Sequence, residues 1–147
     1  MNDQPEQHAA VHEIAPIVFR GTYDEAFDLL VEARNYVEHA VPALKYSAEP
    51  PDPVSITKET MRLTSRLTQV MAWLMAQRAV HEGEIGEEDF IDDRYRLEGQ
   101  AVCLKRAIDE MDDLPRGLQD LMERSYRLYT RIQRLDDQFV RSHATDD

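Results

Sequence analysis

The feature that most constrains this chain is a run of apolar residues in heptad spacing near its C-terminal end. Steps of three and four residues alternate along the run, and one member is polar: Leu118, Leu121, Ser125, Leu128, Ile132, Leu135 and Phe139. Such a repeat places every member on one side of an α-helix and is typical of a bundle or coiled-coil seam. Its period of about 3.5 residues predicts left-handed packing. Asp113 and Pro115 stand where an N-cap and a first-turn proline are expected, so the helix should begin there.

Two further long helices are predicted upstream. The first begins at a capping box formed by Thr22 and Glu25. Its apolar face repeats at four-three spacing until Pro42 bends or ends the helix, and consists of Ala26, Leu30, Ala33, Val37, Ala40 and Leu44. The second helix is predicted to start near Ser55 and to run to His81 or Glu82, and Gly83 is placed to close it in a left-handed conformation. Its main apolar stripe consists of Ile56, Thr60, Leu63, Leu67, Val70 and Leu74.

The other segments are less regular. We expect residues 1–21 to form a loose N-terminal arm, residues 22–141 the bundle domain, and residues 142–147 a short disordered tail. Within the domain, residues 84–113 are an acidic connecting segment with interrupted helical spacing. The predicted fold is therefore all-α: an antiparallel three-helix bundle with a partly helical acidic excursion between the second and third long helices.

Charge and cysteine content count against several classes of function. The net charge of −12 disfavours nucleic acid, whose binding rests on Lys and Arg neutralising phosphates, and it disfavours anionic membranes as well. No stretch approaches the ~20 apolar residues needed to cross a bilayer, and the polar N-terminus does not resemble a signal peptide, so a cytoplasmic location is predicted. Because Cys103 is the single cysteine, neither a disulfide framework nor a cysteine-based zinc site is expected.

Patterns for catalysis or metal binding are missing from the sequence. A di-iron bundle needs Glu-x-x-His pairs on two helices, and none occurs. His8 and His12 stand one helical turn apart, but they lie in the predicted arm without a third ligand. There is also no Gly-rich phosphate loop and no Gly-x-Ser-x-Gly elbow. We therefore expect no catalytic residue, no cofactor and no bound metal.

Two groups of side chains are candidates for contacts with partners. Arginines flank the apolar seam of the third helix and decorate the second: Arg124, Arg127, Arg131, Arg134, Arg62 and Arg66. They could form a basic docking strip for an acidic partner segment, or they could pair with acidic residues on neighbouring helices. The methionines Met61, Met71 and Met75 could fill the core, form a homodimer interface or line an adaptable partner groove. Core or homodimer interface is the prediction.

Three passages carry a resemblance to a known family. They are Phe19-Arg-Gly-Thr-Tyr-Asp-Glu25, the stretch from Glu59 to Glu84 that contains Gln69-Val-Met-Ala-Trp-Leu-Met-Ala-Gln77, and Leu114-Pro-Arg-Gly-Leu118 with Ser125-Tyr-Arg-Leu-Tyr-Thr-Arg-Ile-Gln-Arg-Leu-Asp136. In these passages, which span most of residues 19–139, the chain resembles the RcdA family, the alphaproteobacterial regulators of CtrA degradation.

The resemblance implies a dimeric three-helix-bundle protein without enzymatic activity. Members of that family act as adaptors that help a primed ClpX–ClpP protease receive substrates during the cell cycle, together with a response-regulator adaptor and a cyclic-di-GMP-binding partner. The best-known member has a longer flexible C-terminal tail, whereas about eight residues follow Phe139 here, so cargo delivery by the tail is not implied. The alternative functions are a helical DNA-associated regulator that uses the arginines and an enzyme with a metal in the bundle core.

Overall fold

The structure, a computed structural model, describes residues 5–90, 96–98, 100–103 and 113–144. Its helices are, in chain order, α1 (Pro5–Asn35), α2 (Val41–Ala43), α3 (Pro53–His81), α4 (Glu87–Phe90), α5 (Gln100–Cys103) and α6 (Arg116–Ala144). No β-strand occurs in these ranges. The three long helices α1, α3 and α6 pack around one apolar core. The prediction of an all-α bundle is therefore confirmed.

The first helix begins earlier than the capping box predicts. α1 starts at Pro5 and continues without interruption through Thr22, whose side chain is buried. The predicted helix start is therefore wrong, and the loose arm expected over residues 1–21 is helical from Pro5 onward. Residues 6–15 are rich in Ala, Glu and Gln, which favour a helix, and a Thr-x-x-Glu tetrad is compatible with a helix interior.

Pro42 ends the regular part of the first helix, as its position predicts. The turn Tyr36–Ala40 is π-helical, and α2 and a 3₁₀ turn, Leu44–Tyr46, follow it. Proline lacks an N–H, and its ring clashes with the carbonyl four residues earlier, here that of Glu38. The widened π turn accommodates both effects.

Local chemistry sets both ends of α3. The carboxylate of Asp52 caps the first turn, because it accepts hydrogen bonds from the amide of Val54 at 3.3 Å and the hydroxyl of Ser55 at 3.0 Å. At the other end, Gly83 adopts a φ of 77°, the left-handed conformation that its position predicts. Five members of the predicted stripe are buried between the neighbouring helices: Ile56, Leu63, Leu67, Val70 and Leu74.

The third long helix, α6, buries the heptad run that the sequence predicts. Five of its members are fully buried and Leu135 and Phe139 are partly buried. A second buried stripe lies beside the seam and consists of residues seven positions apart: Met122, Tyr129 and Asp136. The helix extends to Ala144, so the boundary predicted between domain and tail at residue 142 falls inside α6.

The direction of α1 follows from its ion pairs with α6. Glu25 pairs with Arg131, and Glu32, further along α1, pairs with Arg124, which lies earlier in α6. These two helices therefore run antiparallel. Tyr23, which precedes Glu25 and Glu32 in α1, interacts with Arg78 near the end of α3, so α1 is antiparallel to α3 as well.

The helices α3 and α6, in contrast, run in the same direction. Arg66 of α3 contacts Met122 of α6, whereas Trp73, further along α3, contacts Asp136, further along α6. This pair differs from the antiparallel order that we expected. The reason is the connecting segment, which crosses back over the bundle before α6 begins.

The described parts of this crossover lie against α3 and α6. The amide of Leu97 donates to the carboxylate of Asp136, in the second half of α6. The carbonyl of Cys103 accepts from Arg66 of α3, which also contacts Met122, in the first half of α6. The chain therefore returns along the groove between the two helices. The short helices α4 and α5 make this segment partly helical, as predicted; the predictions for residues 91–95, 99 and 104–112 lie outside the described residues.

Candidate functional site

Arg66, predicted as a docking residue, is a buried anchor of the crossover. Its Nε donates to the carbonyl of Cys103 at 2.7 Å, and its Nη1 donates to the carbonyl of Met122 at 2.9 Å and to the hydroxyl of Ser125 at 3.3 Å. The guanidinium also lies 5.3 Å from the ring centre of Tyr126, a cation–π distance. Burial, followed by the nearby charge of Arg62, lowers the pKa of Arg66 to about 10, so it remains charged at neutral pH.

Arg62 is buried as well and forms an ion pair within α3. Its Nη1 donates to both carboxylate oxygens of Glu59, at 2.8 Å and 2.6 Å. Only 5% of Arg62 and 1% of Arg66 are exposed. Neither guanidinium can meet a partner at the surface, so the docking role predicted for these two residues does not fit the structure. They lie on the flank of α3 that carries Trp73, which the crossover and α6 cover.

The arginines of α6 divide into two kinds. Arg131 makes a two-point ion pair with Glu25 at 2.8 and 2.9 Å, and Arg124 pairs with Glu32 at 2.8 Å. These contacts tie α6 to α1, which is the alternative that the sequence left open. Arg127 bonds only within its own helix, and Arg134 is exposed without an ion pair in the described part of the chain. Of these four arginines, Arg127 and Arg134 are therefore the ones available to a partner.

The pair of Glu25 and Arg131 is also the clearest electrostatic perturbation on this surface. The hydrogen bond and charge of Arg131 lower the pKa of Glu25, and Glu25 in turn raises the pKa of Arg131. Both groups are about half exposed. The pair therefore orients α6 against α1 without contributing much stability.

The three methionines have different surroundings. Met71 is partly buried and packs against the core, whereas Met61 and Met75 are 65% and 58% exposed. Between Lys58 and Arg78, every exposed residue of α3 is uncharged. We call these residues the uncharged face of α3: Met61, Thr64, Thr68, Ala72 and Met75. The exposed side of α6, in contrast, carries five arginines between residues 116 and 134.

A polar clamp that the sequence reading missed holds the crossover in place. The buried carboxylate of Asp136 accepts from the indole of Trp73 at 3.0 Å, the side chain of Arg96 at 3.3 Å and the amide of Leu97 at 3.3 Å. One residue further on, the carbonyl of Glu98 accepts from the hydroxyl of Tyr129, and the amide of Glu98 donates to the side-chain oxygen of Gln69. The heptad spacing of Met122, Tyr129 and Asp136 beside the seam is the signal that could have identified this stripe.

The residues considered for chemistry do not form a metal centre in the described chain. No group of three or more His, Cys, Asp or Glu residues is placed there to hold a metal ion. Cys103 is fully buried, and burial raises the pKa of its thiol. His8 and His12 lie in α1, whose first side chains are outside the described residues. None of the described helices has an apolar stretch long enough to span a membrane.

Comparison with known proteins places these surfaces in context. Residues 10–147 match the sequence model of a family described as a protein of unknown function, DUF1465. The chain is also similar to the crystal structure of RcdA from Caulobacter crescentus, with 34% sequence identity and a TM-score of 0.64. That match covers 82% of this chain and 89% of the other. A search of the curated proteins found no match.

Proposed function

Because this chain belongs to the DUF1465 family and is RcdA-like over most of its length, we propose that it is a non-enzymatic cytoplasmic adaptor that helps deliver cell-cycle regulatory substrates to the ClpX–ClpP protease. In this role it holds other proteins close together, which raises their effective concentration without any chemical step. Its partners are then ClpX–ClpP, a response-regulator adaptor, a cyclic-di-GMP-binding protein and the substrates themselves.

The observation that carries this proposal is the match to RcdA over 82% of this chain. The surfaces of the bundle are compatible with it. An adaptor needs a rigid body and exposed contact surfaces, and this chain combines a clamped crossover with an uncharged face on α3 and exposed cations on α6.

We further propose that the protein is a homodimer joined through the uncharged face of α3. The spacing of this face is symmetrical about Thr68, with steps of three and four residues on either side. In an antiparallel contact, a twofold axis at Thr68 would bring Met61 of one copy to Met75 of the other, and Thr64 to Ala72. A twofold interface must be self-complementary in this way. The small residues at the centre also allow two helices to approach closely.

The substitution Thr68→Arg tests this interface, because it would place two positive charges beside the twofold axis. Light scattering should then report a monomer. The variant Gln138→Arg adds the same charge on the exposed side of α6 and should leave the dimer intact. If the unmodified protein is a monomer, or if Thr68→Arg stays dimeric, the interface is not this face. Met71 is unsuitable for the test, since it packs against the core.

The docking strip is now limited to Arg127 and Arg134. A pull-down with ClpX and its response-regulator adaptor should retain the unmodified protein. It should not retain the variant in which both arginines are changed to glutamate. The matched control makes the same charge change at Arg34 and Arg116, which are exposed elsewhere. Unchanged binding of the first variant, or equal loss in both, would remove these residues from the docking surface.

The DNA-associated alternative loses two of its six arginines to burial and two to ion pairs with α1. The remaining cations are few for a protein that must neutralise a row of phosphates. We therefore expect no shift of duplex DNA at low salt. A salt-sensitive shift would revive this alternative.

A further inference from the structure

The N-terminal half of α3 borders a groove that shares Met61 with the uncharged face and otherwise lies outside the surfaces described above. It lies between α3 and α5 and has a volume of about 710 Å³. Three exposed apolar side chains surround it: Val54, Met61 and Val102, which are 73%, 65% and 48% exposed. Single exposed apolar residues are ordinary, but three around one concavity indicate a site that is covered by something else.

The charge at the groove indicates the chemistry of its occupant. Lys58 lies on its rim, is exposed and makes no ion pair with any residue that the structure describes. Among the residues that the structure describes, no carboxylate lines the groove, and its other charged residue, Arg62, is neutralised by Glu59. An unpaired ammonium beside apolar side chains favours a ligand with a carboxylate next to apolar groups.

A second feature of the groove is an unsatisfied donor. The Nε of Arg62 is buried and has no hydrogen-bond partner. A buried donor without an acceptor is unfavourable, and such groups are few in native proteins.

We propose that this groove is a docking site for a short peptide segment of another protein, with apolar side chains that contact Val54, Met61 and Val102 and an adjacent Asp or Glu that pairs with Lys58. The proposal rests on the scaffold function above, because it names the chemistry of one partner. Apolar anchors in a groove are a common basis for peptide recognition, and the charged contact with Lys58 would add selectivity.

Selection from a library of short random peptides displayed on phage tests the proposal on the full chain. Against the unmodified protein, the enriched peptides should combine apolar residues with a neighbouring Asp or Glu. Against Lys58→Glu, the acidic preference should disappear. A peptide enriched on the unmodified protein should bind Val54→Glu at least about tenfold more weakly. The control Val31→Glu changes a valine exposed on α1, outside the groove, and should bind normally.

Five outcomes would overturn the proposal. The first four are a selection without enrichment, an enriched set without acidic residues, an acidic preference that Lys58→Glu does not change, and equal binding to Val54→Glu and Val31→Glu. Peptides that bind only when Thr68→Arg has separated the dimer would show that a second copy occupies the groove, which also overturns it. Circular dichroism of each variant establishes that the fold is kept. If peptides bind the groove but no ClpX substrate needs this protein for its degradation, the adaptor role is wrong and the groove proposal stands.

Discussion

Replacing Arg66 by methionine would remove the charge that ties the crossover to the bundle and keep an unbranched apolar side chain in its place. In the native protein, Arg66 is 1% exposed and donates at 2.7 Å to the carbonyl of Cys103 and at 2.9 Å to that of Met122. After the substitution, the carbonyl of Met122 still accepts from the hydroxyl of Ser125 at 3.0 Å. The carbonyl of Cys103 is the group that loses its donor.

The size of the effect follows from these contacts. A hydrogen bond from a charged donor contributes about 1.5–3 kcal/mol, and an unpaired buried carbonyl costs roughly 1–3 kcal/mol. Release of the buried guanidinium from its dehydrated site offsets part of this loss, since dehydrating an ion costs several kcal/mol. We expect Arg66→Met to lower the free energy of unfolding by about 2 kcal/mol, which corresponds to a fall in Tm of roughly 4–8 °C for a chain of this size.

Urea denaturation at two protein concentrations measures this change and separates folding from dimer association. Arg127→Met is the control, because Arg127 is exposed and its ion pair, with Glu123, lies within its own helix; it should not change stability measurably. Amide hydrogen exchange should accelerate over residues 96–103 before it does so in α6. Equal or greater stability of Arg66→Met would refute the reasoning, since it would mean that dehydration outweighs the hydrogen bonds.

Three further variants test other contacts by denaturation. The lowered pKa of Glu25 means that its ion pair stabilises the fold above pH 4.5 and that this contribution is lost as the pH falls through the lowered value; Glu25→Gln should flatten that decline by less than about 1 kcal/mol, and an unchanged pH profile would contradict it. A Cβ at Gly117 would lie 2.7 Å from the ring of Tyr36, so Gly117→Ala should cost roughly 1–3 kcal/mol, less when combined with Tyr36→Ala; additive costs would count against the clash. Trp73→Phe removes the indole donor to Asp136 and should cost about 2 kcal/mol, a prediction that full stability would refute.

Periodicity and local backbone chemistry were sufficient to predict the helices of the bundle. The heptad run of α6 and the stripe of α3 are buried because a helix repeats the same face every three to four residues. Pro42 and Gly83 mark helix ends because one cannot continue a regular helix and the other adopts a positive φ without strain.

The direction of α6 and the burial of two arginines were not predictable in this way. Direction depends on the path of the crossover, whose short helices have no strong period of their own. Charged residues are assigned to solvent by default, yet Arg62 and Arg66 are buried where Glu59 and backbone carbonyls satisfy them. One signal was present, since Trp73 shares their flank of α3, and a large apolar residue there indicates that the flank is covered.

The proposed function predicts which proteins should become longer-lived when this chain is absent. The most direct measurement is the half-life of every protein in cells after translation is stopped, compared among the parent strain, a strain lacking this chain, and a strain depleted of ClpX. We expect a group of regulatory proteins to have longer half-lives in the strain that lacks this chain. The same proteins, together with others, should have longer half-lives in the strain depleted of ClpX. Their rapid turnover should return with the unmodified chain and not with a variant that fails to bind ClpX. If no ClpX-dependent protein is stabilised when the chain is absent, it is not an adaptor for this protease.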